Sequence, residues 1–349
     1  MEHAPAPVVE EFGGRLLAAA GMTPEESRTV ARHVVWASLR GVDSHGVSRI
    51  PLYAQRVREG GIVSPTTIET VSETPAVVVL DGGDGVGQVI GEHAVDLAVD
   101  RARRLGVAAV GVRHGNHLGA LAAYTHRAAE RGVIGIAMTN ASPRIAPTGG
   151  AEPLLGNNPW SVAVPSPGRP LVVDMATSVA ALGKVRLIQQ RGEQLPEGWA
   201  RDTDGLPTTD PAAAISGLLE PIGGHKGYAI SLVVDLLAGV LTGSRDGPDV
   251  GVLTDAARTG GQGHLFLALS VEAFLPAGDY ERRVGEVADR LRSSRRSPGV
   301  DAIHVPGDIE DGVERRRRAD GVPLPNGVAA GLRRTATELR VDVPDWLAA

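Results

Sequence analysis

The chain has 349 residues, 42% of them hydrophobic and 22% charged, with 35 Lys and Arg against 41 Asp and Glu. The net charge of −6 provides no basic field for nucleic acid or an anionic membrane, and the absence of cysteine excludes disulfides, thiolate metal sites, iron–sulfur clusters and a cysteine nucleophile. The start, MEHAPAPVVEEFGG, lacks the basic segment and apolar core of a signal peptide, and the most apolar run, Tyr228 to Leu241, is too short for a bilayer and carries Asp235, so a soluble cytoplasmic protein is expected.

The first predicted element is a helix opening at Thr23-Pro24-Glu25-Glu26, where Thr23 caps, Pro24 suits the first helical position and Glu26 completes a capping box. Apolar residues spaced three and four apart carry it to Gly41. Asp43-Ser44-His45-Gly46-Val47-Ser48-Arg49 follows, with a hydroxyl, an imidazole and a guanidinium within six residues. If this turn is helical, His45 and Arg49 share a face, so that Arg49 can clasp a carboxylate while His45 passes a proton to the adjacent oxygen. A second helix is expected from Ser48 to Glu59 and a buried strand over Ala76 to Leu80.

Asp81-Gly82-Gly83-Asp84-Gly85-Val86-Gly87 lies between that strand and a predicted helix, Glu92 to Leu105, where a dinucleotide fingerprint would sit. The spacing fails, since Gly85-x-Gly87 is followed by Ile90 and two aspartates would face the pyrophosphate, so a Gly-rich turn is expected. A strand over Val107 to Val112 comes next. Asn116-His117-Leu118-Gly119 then reads as a helix start, where the dipole would favour neutral imidazole. His33, His126 and His264 lack such company and read as structural.

Beyond Gly132 the reading is a strand (Val133–Thr139), a Pro/Gly-rich loop, strands over Trp160–Val164 and Leu171–Met175, and a helix from Ser178 to Arg191. In the loop, Ser142 to Gly150 offers hydroxyls and backbone N–H groups to a phosphate or ribose. A polar loop from Gly192 to Pro221 leads to Gly223-Gly224-His225-Lys226-Gly227 and an apolar helix, an anion site in outline but without P-loop spacing. A strand over Leu265–Leu269, a helix over Tyr280–Ser293 and a tail helix over Val328–Leu339 complete the chain, and Arg315 to Arg318 read as a solvated helix face. Alternating strands and helices make the class α/β or α+β. No H-E-x-x-H or carboxylate cluster marks a metal, and no G-x-S-x-G elbow marks a serine hydrolase.

Several segments, taken in order, resemble the type-2 malate/L-lactate dehydrogenase family: Asp43 to Arg49, Gly115-Asn116-His117-Leu118-Gly119, Ala146 to Gly150, Leu155-Gly156-Asn157-Asn158-Pro159, Val173 to Ser178, Gly183-Lys184-Val185 and Gly224-His225-Lys226-Gly227-Tyr228. The resemblance runs from about Thr23 to Val322. It implies an α/β fold of the L-sulfolactate-dehydrogenase-like, non-Rossmann nicotinamide-binding type, with a mixed sheet and flanking helices. It further implies NAD or NADP as cofactor, a small carboxylate substrate and a homodimer. By matching motifs, Ser44 and His45 would form the proton-donor pair, Arg49 would bind the substrate carboxylate, and His117 would line the site and compete with His45 as donor. Ser142, Asp174, Met175, Ala176, His225, Lys226, Pro306 and Gly307 would contact the cofactor. The expected reaction is interconversion of a 2-hydroxy and a 2-oxo acid, with two alternatives: reduction of a cyclic or N-alkyl imino acid, and a non-catalytic phosphate- or dinucleotide-binding module. The expected domains are 1–114 with 297–349 on the substrate side and 115–296 around the cofactor.

Overall fold

The computed structural model describes residues 2–347. Both ends of the chain build one layer. A short strand β1 (Glu2–Ala4) leads to α1 (Ala6–Ala19), whose Val9, Phe12 and Leu16 recur at spacings of three and four and are buried. Helix α2 (Pro24–Leu39) opens on the expected capping box, with Glu26 N–H donating to Thr23 Oγ1 and Thr23 N–H donating to the Glu26 carboxylate. Two short 3-10 turns, 43–45 and 47–49, precede α3 (Ile50–Glu59), which Gly60 ends in the left-handed region. The helical reading thus holds from Ile50 onward, while the motif ahead of it takes the tighter turns.

A seven-stranded sheet forms the other layer, in the order β2-β3-β4-β11-β5-β6-β7. Its strands are β2 (Glu69–Glu73), β3 (Val77–Asp81), β4 (Val107–Gly115), β5 (Val133–Thr139), β6 (Trp160–Val164), β7 (Leu171–Met175) and β11 (Gln262–Ser270). Only β3 and β4 run parallel, joined by α4 (Gly87–Leu105), so the sheet is mixed, as the resemblance implies. Helix α4 and α5 (Ala122–Glu130) cover one face, burying Ile90, Val95, Leu121 and Tyr124 against Val110, Val112 and Phe266. Strands β2, β3 and most of β4 precede residue 114 while β5, β6, β7 and β11 follow it, so the sheet draws strands from both sides of the expected boundary.

The polar segment after α6 (Leu182–Gln190) is not a bare loop. Strands β8 (Ala200–Arg201), β9 (Pro207–Thr208) and β10 (Leu218–Leu219), with α7 (Pro211–Ser216), enclose a small core of Val185, Leu195, Ala200, Ala214 and Leu219. The strands are two residues each, too short for an alternating pattern to register in sequence. Helix α8 (His225–Asp235) continues into a π turn over 236–240. Helix α9 (Ala277–Arg292) lies on the surface and α10 (Asp308–Asp320) follows it. Strand β12 (Val322–Leu324) pairs with β1, and α11 (Asn326–Leu339) packs with α1, α2 and α3 around Leu17, Val34, Ile50 and Leu332. Among the described residues no helix is long and apolar enough to cross a membrane.

Candidate active site

The Asp43-to-Arg49 turn is pinned from two sides. Gly46 lies against α2 so closely that a Cβ there would stand 2.1 Å from Ser38 Oγ, which itself accepts from Val47 N–H at 3.0 Å. From α10, the Arg317 guanidinium grips the Asp43 carboxylate and the Ser38 carbonyl. Arg317 belongs to the basic run expected to be solvated; Arg315, Arg316 and Arg318 are exposed, but Arg317 is turned inward. Within the turn, Ser44 Oγ is 2.9 Å from His45 Nδ1, and Arg49 Nε donates to the Ser44 carbonyl at 2.6 Å, leaving both Nη groups for a ligand.

His117 comes from a different element. It does not open a helix: β4 ends at Gly115 and α5 begins at Ala122, so no helix dipole acts on its ring. Buried Asn116 fixes this bend, donating to the carbonyls of Asp84 and Gly85 and accepting from Arg56 and Gly260 N–H. The Gly-rich segment after β3 therefore spends its main chain on Asn116 rather than on a ligand, in keeping with the failed fingerprint. At the start of α4, Gly87 is needed for room, because a Cβ would come within 2.4 Å of the His117 carbonyl.

Tyr53 of α3 lies 2.7 Å from His117 Nδ1, which also accepts from Gly119 N–H at 3.3 Å. With Nδ1 accepting, the proton of the neutral ring sits on Nε2. The His45 and His117 rings lie parallel at 5.4 Å. Burial, and then the Arg49 charge, bring His45 down to about 4. Burial drives His117 well below the ordinary range, with His45, Arg49 and Arg56 adding to the effect. Burial pushes the Tyr53 phenol up to about 12, so it remains a donor. Both imidazoles are neutral near pH 7.

Two cavities meet at this pair. One, of about 150 Å³, is lined by Arg49, His117, Ser142, Arg144 and Arg186 among others; the second, of about 190 Å³, is lined by Gly119, Ala122, Pro159, Met175, Ala176 and Gly307 among others. Ser44, His45, Asn157 and Ala181 belong to both walls. The second is a slot that combines small residues with Trp36, Arg40 and Leu121 and has two carboxylates, Asp174 and Glu310, in its lining. One Asp174 oxygen accepts from Ala122 N–H at 2.8 Å; loss of hydration, and after it the Glu310 charge, raise the carboxyl to about 6. A planar ring and a sugar hydroxyl suit such a slot. Pro306 accepts from Val172 N–H and so holds the Gly307 turn against β7.

The remaining candidates lie apart. His225 lines a third, smaller cavity with Ala146, Pro147, Thr148 and Gly149, and Lys226 is exposed beside it at the start of α8. The Ala146-to-Gly149 part of the loop and the Gly-His-Lys segment thus come together away from the two central cavities, while Ser142 and Arg144 of the same loop line one of those. Among the described residues no group of three or more His, Cys, Asp or Glu can hold a metal ion. Sequence reasoning missed Tyr53, Arg186 and the inward Arg317. Tyr53 follows Arg49 by four residues, a spacing that signals a shared helical face, whereas nothing local marks Arg186 or Arg317.

The malate/L-lactate dehydrogenase family profile matches residues 5–333. The chain is 37% identical over 338 residues to the malate dehydrogenase of Pyrococcus abyssi, covering 95% of this chain and 93% of that one. It is 35% identical to the delta(1)-pyrroline-2-carboxylate reductase of Ancylobacter novellus, covering 91% and 92%. The sulfolactate dehydrogenase of Methanocaldococcus jannaschii has the same fold, with a TM-score of 0.91, 34% identity and 98% of each chain covered.

Proposed function

The chain belongs to the malate/L-lactate dehydrogenase family, and from that premise we propose that it is a nicotinamide-dependent oxidoreductase that interconverts a small 2-hydroxy acid and its 2-oxo acid. The observation that carries this reading is the position of His45, on the wall common to the cavity lined by Arg49, Arg144 and Arg186 and the slot lined by Ala122, Met175, Ala176 and Gly307. A carboxylate bound by the two Nη groups of Arg49 puts C2 and its oxygen beside His45. Ser44 holds the His45 ring by Nδ1, so its Nε2 gives the proton to the C2 oxygen as C2 is reduced. His117, held by Tyr53 and Gly119, donates from Nε2 to the same end of the acid. A bound reduced nicotinamide supplies the hydride. In this reading Asp174, Met175, Ala176 and Gly307 line the ring and ribose site, with Pro306 supporting the turn, Ser142 reaching the cofactor from the wall of the guanidinium cavity, and His225 and Lys226 at the phosphates.

On its own His45 is neutral, first because it is buried and then because of the charge on Arg49. A substrate carboxylate on Arg49 offsets that charge, so acid and proton bind together. The affinity for a 2-oxo acid therefore rises as pH falls toward the histidine range. Calorimetry in buffers of different ionisation heat would detect the proton taken up; no uptake would remove His45 as donor.

The direct test follows nicotinamide absorbance with NADH and NADPH and a pool of small 2-oxo acids. Consumption by the native chain, with kcat/KM lowered about 100-fold in Arg49→Lys, is the expected result, since lysine keeps the charge but loses the fork. Consumption only after an amine is added to the oxo acid would favour the imino-acid reading, which the similarity to a pyrroline-carboxylate reductase supports. Cytoplasmic location and a homodimer belong to the same proposal. Ile230 and Val233 of α8, with Leu236, Val240 and Leu241 in and after the π turn, are exposed apolar residues that suit a second copy, and sedimentation at the mass of one chain would reject it. Both termini would share one domain in each copy, as β1 and β12 pair.

A further inference from the structure

We infer that Gln88 is a positioning residue for this reaction: its amide N–H, turned toward the Tyr53 oxygen, commits the Tyr53 proton to His117 Nδ1 and so keeps the His117 proton on Nε2, where it meets the acid. The inference rests on the reading of His117 as a hydrogen-bond donor to a bound acid. Gln88 stands in the first turn of α4, directly after the Gly-rich segment. Gly87 lets that turn lie against the main chain of the Asn116–His117 bend, where a Cβ would come within 2.5 and 2.4 Å of the two carbonyls. The residue that follows is thereby buried at the bend, and Gln88 is 2% exposed. A Cβ on Gly119 would stand 3.5 Å from Gln88 Nε2, and Gly119 is the residue whose N–H donates to His117 Nδ1.

Between the buried Tyr53 hydroxyl and a neutral imidazole 2.7 Å away, two arrangements compete. Either the phenol donates to Nδ1, or Nδ1 carries the proton and donates to the phenol oxygen, which turns Nε2 from a donor into an acceptor. Gly119 N–H can only donate, and it favours the first. The Gln88 amide adds a second bias. It acts on the phenol in the direction that favours charge on the oxygen, as an N–H donor does. Gln88 Nε2 is buried and has no direct hydrogen-bond partner among the described residues, so the lone pair that the Tyr53 oxygen turns toward it relieves a costly burial. With an N–H on that side, the phenol proton finds its acceptor in His117 Nδ1. The Gly-rich segment, which fails as a dinucleotide fingerprint, serves the site in this other way.

The test reads the tautomer directly. With isotope-labelled histidine, proton–nitrogen spectra separate protonated from bare ring nitrogens, and His117→Gln identifies the His117 signals. The native chain is expected to show Nε2 protonated and Nδ1 bare. Gln88→Glu keeps the shape but offers the phenol an acceptor, because Arg49 and Arg56, which both act on Tyr53, favour the ionised carboxylate. The chain of donors then reverses: Nδ1 gains the proton, and kcat/KM for oxo-acid reduction falls about 100-fold. Gln88→Met removes the donor without supplying an acceptor, so a minor Nδ1-protonated form appears and KM rises about 3- to 10-fold with kcat little changed. In a Tyr53→Phe background Gln88→Met has no further effect, because Gln88 acts through the phenol. A native spectrum with Nδ1 protonated would overturn the inference, as would variants that leave spectrum and activity unchanged. So would activity lost with the native tautomer intact, which marks a packing defect, or an undiminished effect in Tyr53→Phe. Should the glutamate variant not fold, the native spectrum and the methionine variant decide. If the native chain turns over no acid, the oxidoreductase reading fails, while the spectra still decide whether Gln88 sets the His117 proton.

Discussion

His45→Gln should lower kcat/KM for oxo-acid reduction by about 10²- to 10⁴-fold while the protein stays folded and binds its dinucleotide, because glutamine fills the same space but cannot carry the proton. The ring sits on the wall common to both cavities, and its Nδ1 is occupied by Ser44, which leaves Nε2 as its proton-passing atom. His117 lines only the guanidinium cavity, and its Nδ1 already accepts from Tyr53 and Gly119. Its replacement by Gln should therefore act mainly on KM and leave the pH profile of kcat in place. In His45→Gln the limb of that profile that reports the donor should vanish. A profile flattened by His117→Gln and preserved in His45→Gln would reverse the two roles. Both residues are half-buried, so near-native circular dichroism in both variants is part of the measurement.

The second large effect is on stability. Arg56 of α3 is 1% exposed and donates to five oxygens: the carbonyls of Gly61, Leu253, Asp255 and Arg258, and Asn116 Oδ1. No carboxylate pairs with it among the described residues; a ring of main-chain dipoles carries its charge. Arg56→Met removes the charge at similar volume and leaves those acceptors dry, a loss of about 3–5 kcal/mol of unfolding free energy. Urea denaturation should show the midpoint falling with an unchanged slope. A loss below about 1 kcal/mol would mean that water replaces the guanidinium. Activity should fall as well, because Arg56 ties the 251–254 segment of the cavity wall to Asn116, and Asn116 sets the bend at His117.

The legible parts of this chain are those whose physics is local. The capping box at Thr23 and Glu26 needs only three residues of separation, and Gly41, Gly60 and Gly132 mark ends because each holds a positive φ that other residues resist. The core strands β3 to β7 read from unbroken apolar runs, and the Ser44–His45 pair from adjacency. The spacing at Gly85 and Gly87 departs from a dinucleotide fingerprint, and the turn's Asp84 and Gly85 carbonyls accept from Asn116.

Tertiary structure decided what depends on distant segments meeting. Asn116-His117 looks like a helix start, yet the main chain there is held by the 82–87 turn, Arg56 and Gly260, and those contacts override the local signal. Strand β11 enters the middle of the sheet after a long excursion and pairs with β4, which joins β2, β3 and β4 to the strands beyond residue 114. Arg317 lies in a run of four arginines, and only the docking of α10 beside Asp43 separates it from its neighbours. By itself the sequence determined the helix ends at Gly41, Gly60 and Gly132 and the apolar strands, and it offers the histidines as candidates to move a proton. The meeting of Arg49, Arg144 and Arg186 in one cavity has no periodicity or motif behind it; it arises because three elements far apart in the chain fold against one another, and charge in a shared space is a property of distance alone.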